Sequence, residues 1–541
     1  MVCCLGTVVK KSRKGLRGKA RERMREDKKD EVERTALRGQ SGTEEPRTAA
    51  TPPVAVILGI PFYRVTFAET VEWVRERVRS RRPAYIATAN MDFVTQAWRD
   101  PELQRILLEA DLVVADGIPI VWLSRLLGPP LKERVTGSDL VPMFAELAAR
   151  EGFSLYGLGG AEGVAEKALN KLAARYPGMR IAGFYSPPKA EIIDMDNPGI
   201  LARLAEANPD ILLVAFGGPK QEKWCNMHIR QWKVPVAIGI GGSLDFLAGA
   251  QKRAPRWVQK LALEWLWRMF SDPRRLFRRY VANIAFFLAA VVRLLRLRWG
   301  PIPPAAKTGA TTAVPPATAD ESAVRRVAFP ASAAARDVEA FRSACEAAPD
   351  RPLVVDMGAR DWLDSRELGD LLDLNRRRHL AHRWLCVLAP HARLAHMLRF
   401  VRLDHYIHVA SDMPEALGRL HAWNQTSKEG SVRVEPGQRL VAVLPAELTA
   451  ANVAEFRAGV EAAWNKTAEV GEVTGVAVDA SSVTFLDSAG LGFLVTLRKK
   501  ALPLPGGFRC TGFRGNARRT LVIARMENLF AADAPGSGGT P

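Results

Sequence analysis

Polar residues in the N-terminal half of the sequence occur at positions where their side chains could do chemistry. Thr88, Asn90 and Asp92 lie in the segment TANMDF, Asp116 begins the pair Asp-Gly in ADGIP, and Gln221 lies in GGPKQEKW. Hydroxyl and amide side chains bind sugar hydroxyls or phosphate oxygens, and a carboxylate can accept a proton from a hydroxyl that attacks. The same residue types also cap helices and form turns, so each position has an ordinary structural alternative.

Asp116 has three possible roles. An acid that binds the ribose of a dinucleotide follows a glycine-rich turn by about 20 residues. Residues 90–100 contain no glycine, which excludes that role. A turn role stays open because Asp-Gly is a common turn pair. The remaining role is that of a general base.

The pattern between residues 53 and 270 predicts the elements that position these side chains. Short segments rich in β-branched residues alternate with longer helical patterns, and most end in glycine or a small polar residue. These segments are VAVILG, AYIATAN, LVVADG, FSLYGLGG, RIAGFYS, ILLVAFGG and VAIGIGG. The alternation predicts an α/β fold with a mainly parallel sheet. Ligands of such sheets bind beyond the carboxyl ends of the strands, so we expect Thr88, Asn90, Asp116 and Gln221 to converge there.

Two further motifs could bind phosphate or metal. In LYGLGGAEGVAEKAL, Gly157, Gly159 and Gly163 open a helix after a strand, which offers backbone N–H groups to a phosphate. We therefore include Gly157 and Gly159 among the candidate substrate-binding residues. The run Asp194–Asp196 has the form of a metal-binding DxD motif, but no strand leads into it. We interpret it as a polar loop and expect neither a metal site nor a cofactor.

The segment SDPRRLFRRYVANIAFFLAAVVRLLRLR predicts a basic amphipathic helix. At 3.6 residues per turn one face carries Phe277, Val281, Ile284, Leu288, Val291 and Leu295. The opposite face carries Arg275, Arg278, Arg279, Arg293 and Arg296. Such a helix suits an anionic membrane surface, and packing against the protein's own core is the alternative. No apolar run reaches the roughly 18 residues that a membrane span requires.

Length and composition bound the organisation of the chain. It has 541 residues, 48% of them hydrophobic, a net charge of +19, and six scattered cysteines without a CxxC pair. These values indicate several globular domains in a reducing compartment and an acidic partner. We predict a disordered basic arm (1–52), an α/β domain with the basic helix (53–299), a Pro/Ala-rich linker (300–322), two small domains (323–423 and 432–533) and a disordered tail (534–541).

The two small domains share an internal repeat. The segment LVVDMGARDWLDSRELGDLL begins at Leu353 and VAVDASSVTFLDSAGLGFLV begins at Val476. A constant offset relates Asp356 to Asp479, Asp364-Ser365 to Asp487-Ser488, and Leu368-Gly369 to Leu491-Gly492. The repeat indicates a duplicated unit. Each copy predicts a strand, a turn and a helix that begins at Asp-Ser, which are good capping residues.

The N-terminal motifs, taken in order, resemble the WecG/TagA/CpsF glycosyltransferases (glycosyltransferase family 26) over roughly residues 53–292. They are TANMDF, ADGIPIVW, LKERVTGSDL, FGGPKQEKW, IGGSLDFLAG, RAPRW and EWLWRMFSDPRRLFRRY. The resemblance implies a Rossmann-like fold and metal-independent, inverting transfer of an N-acetylhexosamine-type sugar, such as N-acetylmannosamine or its uronate. The donor would be a UDP-sugar and the acceptor a polyprenyl-diphosphate-linked sugar in cell-surface or exopolysaccharide biosynthesis. The enzyme would be cytoplasmic and peripheral at the inner face of the cell membrane.

The resemblance also assigns site residues. It implies that Asp116 is the general base, that Thr88 and Asn90 bind substrate, and that Arg134 and Gln221 lie around the diphosphate and sugar. The best matches to the arginines that complete the family's active site at the membrane are Arg268, Arg275 and Arg278. Lipid diphosphate and an anionic membrane surface then account for the positive charge, so we expect no nucleic-acid partner.

The second repeat resembles the STAS domains of anti-sigma-factor antagonists. The resemblance implies that Ser488 is a regulatory phosphosite, where a phosphate would add about −2 charge at a helix N-terminus. The alternative is that Ser488 only caps the helix. In the first repeat Arg366 and Glu367 replace the small residue and glycine of SAG, which indicates a degenerate STAS-like copy.

Two functions are compatible with these domains. The first is a membrane-associated glycosyltransferase that is regulated through STAS domains, with a serine kinase or another protein as their partner. The alternative is a STAS-based regulatory protein of a partner-switching pathway, in which the glycosyltransferase-like domain only senses a ligand.

Overall fold

The computed structural model describes residues 52–250, 254–255, 258, 266–267, 269, 273–301, 321–332, 334–425 and 430–530. The predicted basic arm, except for Pro52, most of the predicted linker and the predicted tail therefore lie outside the described residues, and so does Arg268. The described residues from Pro53 onward form one compact unit.

The N-terminal part of the described chain begins with a hairpin and continues into a parallel sheet. The hairpin strands are β1 (Val54–Ile57) and β2 (Ile60–Tyr63). The sheet strands are β3 (Ala84–Ala89), β4 (Leu112–Ala115), β5 (Ser154–Gly159), β6 (Arg180–Tyr185), β7 (Ile211–Ala215) and β8 (Val236–Gly239). Their order is β4-β3-β8-β7-β5-β6, and all neighbours are parallel. This confirms the predicted sheet, although the first predicted strand pairs within the hairpin instead.

Helices separate these strands, as the alternating pattern predicts. They are α1 (Phe67–Ser80), α2 (Met91–Ala97), α3 (Pro101–Glu109), α4 (Ile118–Leu127), α5 (Gly137–Glu151), α6 (Val164–Arg175), α7 (Asn197–Ala207), α8 (Lys220–His228), α9 (Ser243–Ala248) and α10 (Pro273–Trp299). Every residue of β3, β4 and β8 is buried, as expected for parallel strands that helices cover on both faces.

Capping residues determine where several of these helices begin. Thr66 and Glu69 form a capping box at α1, and Asp100 accepts the N–H groups of Glu102 and Leu103 at α3. Such caps satisfy N–H groups that have no partner inside the helix.

The middle part, residues 321–425, contains a second parallel sheet. Its strands are β9 (Arg325–Ala328), β10 (Leu353–Asp356), β11 (Leu385–Leu388) and β12 (His408–Ala410), in the order β12-β11-β10-β9. Its helices are α11 (Ala335–Glu346), α12 (Ser365–Leu380), α13 (Ala392–Phe400) and α14 (Met413–Gln425).

The C-terminal part, residues 430–530, contains a mixed sheet. Its strands are β13 (Ser431–Glu435), β14 (Arg439–Val443), β15 (Glu447–Leu448), β16 (Gly475–Asp479), β17 (Phe485–Leu486) and β18 (Phe508–Thr511). Strands β13-β14-β16-β18 form one sheet in which β13 alone is antiparallel, and β15 pairs with β17. Its helices are α15 (Val453–Val470), α16 (Ser488–Ala501) and α17 (Gly515–Ile523).

The internal repeat has the same local structure in both copies. Strands β10 and β16 end at the matched residues Asp356 and Asp479, and each carboxylate accepts a backbone N–H two residues later. Helices α12 and α16 begin directly after the matched caps Asp364 and Asp487. The predicted strand, turn and capped helix are therefore present in each copy.

The middle part packs directly on the N-terminal hairpin. Gly59 has a φ of +85° at the hairpin turn, and a Cβ atom there would lie 2.1 Å from the carbonyl oxygen of Val401. A Cβ atom at Gly369 would lie 3.0 Å from the carbonyl oxygen of Val54. Both positions therefore need glycine because two backbones approach closely.

Candidate functional site

Hydrogen bonds across the carboxyl ends of β4, β3 and β8 bring several predicted site residues together. The backbone N–H of Asp116 donates to the carbonyl oxygen of Ala89 at 2.9 Å. The hydroxyl of Thr88, which is buried, donates to the carbonyl oxygen of Gly239 at 2.8 Å. Thr88 and Asp116 therefore occupy one edge of the sheet, as the sequence predicts.

Asp116 lies between the end of β4 and the start of α4. It is half-buried, and Gly117 after it adopts an extended conformation. A Cβ atom at Gly117 would lie 3.9 Å from the Cβ atom of Asn90. Asn90 is therefore a neighbour of the Asp116-Gly117 pair. The carboxamide oxygen of Asn90 accepts the N–H of Phe93 at 3.2 Å. Asn90 thus caps α2, which is the structural alternative for this residue.

The KERVTG segment closes the same edge. The N–H of Val135 donates to the carbonyl oxygen of Ala115 at 2.9 Å, which brings the backbone of Arg134 beside the end of β4. A Cβ atom at Gly137 would lie 3.4 Å from the hydroxyl oxygen of Thr88. Arg134 therefore belongs to the same strand-end cluster as Thr88 and Asp116.

Gln221 lies beneath the strand ends rather than at an open surface. Its side chain is buried, its oxygen accepts the N–H of Gly241 at 3.1 Å, and its nitrogen donates to Glu222 at 2.8 Å. A Cβ atom at Gly239 would lie 2.6 Å from that nitrogen, so β8 needs glycine there. The amide holds the turn after β8 in place, and direct contact between Gln221 and a ligand stays a prediction.

Glu222 is a buried carboxyl group next to Gln221. The hydroxyl of Tyr85 donates to it at 3.2 Å, and its second oxygen has no hydrogen-bond partner among the described residues. Burial raises the pKa of Glu222 to about 7, although the hydrogen bonds from Gln221 and Tyr85 act to lower it. In sequence this residue is one of several charges at a helix start, and no local pattern reveals its burial.

The predicted phosphate-binding glycines have packing roles. A Cβ atom at Gly157 would lie 3.2 Å from Ala165 and 3.3 Å from Leu169 on α6. Gly159 has a φ of +100°, and a Cβ atom there would lie 2.8 Å from the carbonyl oxygen of Ala215. With neighbouring strands about 4.8 Å apart, β5 lies about 19 Å from β4 across the sheet. Ligand binding by Gly157 and Gly159 stays a prediction, and it would involve only the far end of an extended ligand.

The run Asp194–Asp196 is more ordered than the predicted polar loop. Residues Ile192–Asp194 form a 3-10 turn, and the carboxylate of Asp196 accepts the N–H of Gly199 at 3.0 Å, which caps α7. Within the described ranges, no three His, Cys, Asp or Glu side chains group as metal ligands would.

Known proteins show the same two domain types. Residues 55–300 match the model of the family "Glycosyl transferase WecG/TagA/CpsF family", and residues 431–534 match that of the STAS domain. A Staphylococcus aureus (strain MW2) relative is 31% identical over 242 residues, which cover 44% of this chain and 92% of the relative. Its name is N-acetylglucosaminyldiphosphoundecaprenol N-acetyl-beta-D-mannosaminyltransferase. The chain belongs to the WecG/TagA/CpsF glycosyltransferase family.

Two other proteins complete the comparison. A Bacillus spizizenii protein with the same name is 31% identical over 213 residues, which cover 39% of this chain and 79% of that protein. A solved structure of the murine Slc26a9 anion transporter covers 30% of each chain at 18% identity. Its TM-score of 0.15 is too low to support an argument about fold or function.

Helix α10 of the glycosyltransferase domain packs next to the strand-end cluster. The side-chain nitrogen of Asn283 donates to Asp92 at 2.9 Å, and Arg279 lies 3.8 Å from the same carboxylate. The ring of Phe286 contacts that of Trp98 edge to face. Helix α10 is thereby attached to α2, which begins at the candidate residue Asn90.

The outer face of α10 is an apolar stripe. Its members are 45 to 57% exposed, and they are Phe277, Val281, Ile284, Leu288 and Val292. Val291 and Leu295, which were predicted on the same face, are less exposed: Val291 packs partly buried against the core, and Leu295 is half-buried. Arg278 is exposed beside the stripe, whereas the side chain of Arg275 lies outside the described structure.

The same helix also changes one expectation from the sequence. By length and composition, residues Phe277–Trp299 are long and apolar enough to cross a membrane. The expectation was that no apolar run has this length, because arginines interrupt the segment. A single helix of this kind is weak evidence for a span, and its other face packs against α2 and α13.

Ser488 lies against the glycosyltransferase domain. Its backbone N–H donates to the carboxylate of Glu102 at 2.6 Å. The capping residue Asp487 accepts the N–H groups of Ala489 and Gly490, both at 2.9 Å. Burial raises the pKa of Asp487 to about 7, and the neighbouring charge of Glu102 adds to the effect. Asp487, rather than Ser488, is therefore the cap of α16.

A cleft of about 1680 Å³ lies away from the strand ends. It runs between α3, the middle domain and the STAS domain, and its walls include Arg230, His379, Arg419, Trp423 and Glu447. None of the predicted site residues that the structure describes lines this cleft, so its size does not identify the catalytic site.

Proposed function

We propose that this chain transfers an N-acetylhexosamine-type sugar from a UDP donor to a polyprenyl-diphosphate-linked sugar, with inversion at the anomeric carbon. N-acetylmannosamine or its uronate would be the sugar, and a cell-surface polysaccharide or exopolysaccharide the product. The names of the relatives support an acceptor of the N-acetylglucosaminyl-diphosphoundecaprenol type. The observation that carries the proposal is the convergence of Asp116, Thr88, Asn90 and the KERVTG segment at one sheet edge.

Asp116 is the proposed general base. A single-displacement reaction inverts the anomeric carbon and needs a group that accepts the proton of the attacking hydroxyl. A half-buried carboxylate at the end of a buried strand is rigid and still accessible to an acceptor sugar. Thr88 and Asn90 are the proposed substrate-binding neighbours, and Gln221 supports them through the turn at Gly241.

Arginines and backbone N–H groups are the proposed stabilisers of the leaving UDP. Guanidinium groups match diphosphate oxygens in geometry and charge, and they stabilise developing negative charge without a metal ion. Arg134 lies in the strand-end cluster, and Arg278 lies on the helix that contacts α2. Arg268 and Arg275 complete this proposed set, and Gly157 and Gly159 would contact the far end of the donor.

The proposal includes a peripheral position at the inner face of the cell membrane, and α10 supports the contact with a membrane. Its apolar stripe can enter the interface while the arginines meet anionic headgroups, and each arginine near the surface contributes about 1 kcal/mol. Asn283 of the same helix binds Asp92 on α2, which begins at the strand-end cluster. This contact sets the position of the apolar stripe relative to that cluster. A lipid-linked acceptor would therefore reach the site along the membrane surface.

The remaining domains are the proposed regulatory part. Residues 432–533 form the STAS domain, residues 323–423 a degenerate STAS-like copy, and residues 53–299 the catalytic part. Ser488 is the proposed phosphosite, with a serine kinase or another protein as the partner of the STAS domain. Its support is the contact between the start of α16 and the glycosyltransferase domain.

A donor screen tests the catalytic proposal. Purified full-length chain would be mixed with each UDP-N-acetylhexosamine or uronate and a short-chain lipid-diphosphate N-acetylglucosamine in anionic vesicles. We expect a disaccharide lipid from one donor, with no product when the acceptor is a lipid glycoside that lacks the diphosphate. Absence of transfer from every UDP-N-acetylhexosamine and its uronate would rule out the proposed reaction.

A further inference from the structure

Glu102 connects the STAS domain to the glycosyltransferase domain. It belongs to α3, its side chain is almost completely buried, and one of its oxygens accepts the N–H of Ser488. The first N–H groups of a helix have no acceptor within the helix, and the helix N-terminus favours a negative charge. The carboxylate of Glu102 therefore occupies the position at the start of α16 where an anion is stabilised.

The second oxygen of Glu102 contacts a lysine on the helix that carries Gln221. The ammonium group of Lys223 lies 2.8 Å from this oxygen and 2.7 Å from the carboxylate of Asp100. Burial acts to lower the pKa of Lys223, but Glu102 and Asp100 together raise it, so the ammonium stays charged. Lys223 is on α8, two residues after Gln221, and Gln221 holds the turn after β8.

The cluster already contains more acids than cations. Glu102 and Asp487 lie at the start of α16, and Asp100 lies behind them on Lys223, which is the cation that the described ion pairs place between Glu102 and Asp100. The Oγ atom of Ser488 is only three bonds from the nitrogen that donates to Glu102. A phosphate on this hydroxyl would thus bring about −2 charge next to a buried carboxylate.

We propose that a negative charge on Ser488 and the contact with Glu102 exclude each other, so that a charge there separates the STAS domain from α3 and loosens α8. The partner of the Ser488 surface in the unmodified protein is then the chain's own glycosyltransferase domain. This inference rests on the proposed function, because it names the route by which the STAS domain regulates the catalytic site. We expect the loosened state to be the less active one, since Gln221 no longer holds the turn at Gly241.

In the first repeat, the matching helix start contacts another helix of the glycosyltransferase domain. Ser365, which matches Ser488, is buried, and a Cβ atom at Gly128 would lie 2.6 Å from its hydroxyl oxygen. Gly128 ends α4, the helix that begins directly after Asp116-Gly117. The start of α12 therefore contacts the helix that follows Asp116-Gly117, and the start of α16 reaches α8, which carries Gln221, through Glu102 and Lys223.

Hydrogen exchange of the full-length chain tests the proposal without any substrate. Ser488→Glu adds the charge, and Ser488→Ala is the matched control that removes only the hydroxyl. We expect amides in residues 101–109 and 220–228 to exchange about tenfold faster in Ser488→Glu and at the normal rate in Ser488→Ala. Unchanged exchange in Ser488→Glu, with β16 still protected, would overturn the proposal.

A double variant tests whether Glu102 is the group that the charge repels. In a Glu102→Gln background we expect Ser488→Glu to change exchange in 220–228 by less than about twofold, because the repulsion is gone. An effect of the same size in both backgrounds would contradict the proposed route.

Lys223→Met provides a variant that leaves the STAS domain intact. It removes the cation that joins Glu102 to α8, and we expect faster exchange at the start of α16, in residues 488–492. Normal exchange there would also overturn the proposal, even if Ser488→Glu does not fold.

Sugar transfer is measured separately, and we expect it to fall in Ser488→Glu and to stay normal in Ser488→Ala. If no donor supports transfer at all, the catalytic proposal fails, whereas the exchange results still decide the inference about the contact.

Discussion

Asp116 and Glu222 are two carboxyl groups whose surroundings give them different properties. Asp116 follows a buried strand and is half-buried, and its backbone N–H donates to the carbonyl oxygen of Ala89. Glu222 is fully buried, has a pKa of about 7, and accepts hydrogen bonds from Gln221 and Tyr85. At the residue scale the first is suited to exchange protons with a substrate, and the second to position a neighbouring amide.

Replacement of Asp116 by asparagine tests the general base. We expect the transfer rate to fall by about 10² to 10⁴, because an amide cannot accept the proton and general bases contribute that much. The measurement is the initial rate of product formation with the donor identified in the screen.

Asp196→Asn is the matched control for this variant. Asp196 caps α7, and asparagine caps helices equally well, so we expect full activity and an unchanged unfolding temperature. Full activity in Asp116→Asn would contradict the assigned role.

Replacement of Glu222 by glutamine tests the buried carboxyl through pH. The pKa of Glu222 is about 7 in the folded chain, compared with 4.5 for an ordinary glutamate. At pH values between these two, the folded protein therefore keeps a proton on Glu222 that the unfolded protein has lost. Stability contributed by this group therefore falls as pH rises through that window, by up to about 3 kcal/mol. We expect Glu222→Gln to gain in thermal unfolding midpoint relative to the natural protein between pH 5 and pH 8.

The exposed Glu76 provides the control, and Glu76→Gln should show no such gain. A difference between Glu222→Gln and the natural protein that does not vary with pH would show that Glu222 is charged throughout.

At the scale of a secondary-structure element, helix α10 has two faces with different surroundings. One face packs on α2 and on α13, through contacts that include Trp98, Phe286 and Asn283. The other face leaves five large apolar side chains exposed in a stripe with helical spacing. A contiguous exposed apolar stripe beside arginines is typical of a membrane-binding surface.

Leu288→Glu tests this surface. Leu288 is 57% exposed in the stripe, and its burial in an interface contributes about 1.5 to 3 kcal/mol. We expect binding to anionic vesicles to weaken about tenfold or more, as measured by co-sedimentation.

Val522→Glu is the matched control, because Val522 is 50% exposed on α17 and the change in charge is identical. Equal binding by both variants would show that the net charge of the protein, rather than the stripe, determines membrane binding.

The three parts of the chain meet at Arg105, which matters at the scale of the whole molecule. This residue of α3 donates to Glu447 of the STAS domain at 2.8 and 3.0 Å, and it also contacts His379 of the middle domain. Its guanidinium lies over the ring of Phe485 at 4.5 Å. Burial acts to raise the pKa of Glu447, but Arg105 lowers it to about 2. One guanidinium of the glycosyltransferase domain thus contacts both C-terminal domains.

Arg105→Gln tests this junction. Arg105 also donates to Glu109 at 2.7 Å, so loss of the cation removes the shared partner of two carboxylates, Glu109 and Glu447. Removal of one partner of a buried pair is strongly destabilising. We expect amides of β15 and α12 to exchange at least about tenfold faster in hydrogen-exchange measurements.

Arg518→Gln is its control, because the pair of Arg518 with Glu527 is exposed and contributes little. Normal exchange in Arg105→Gln would mean that the remaining contacts between the domains are sufficient to hold them together.

Local pattern was sufficient to predict the element types and much of the site. Alternation of short β-branched segments with helical periodicity depends only on neighbouring residues, and it predicted the parallel sheet. The rule that ligands bind beyond the strand ends then placed Thr88, Asn90 and Asp116 together. The repeat predicted matched strands and matched Asp-Ser helix starts, since capping depends on residues within one turn.

Only the tertiary structure decided which charged groups are buried and which domains meet. Gln221, Glu222 and Lys223 are adjacent in sequence, yet the first supports a turn, the second is buried beside Tyr85, and the third binds Glu102. The contact between Glu102 and Ser488 joins residues that are 386 positions apart. Sequence periodicity extends over a few turns of a helix, whereas burial and charge pairing depend on the packing of distant segments. The sequence therefore determined the edge of the sheet at which Thr88, Asn90 and Asp116 lie, and the packing of the domains decided what surrounds it.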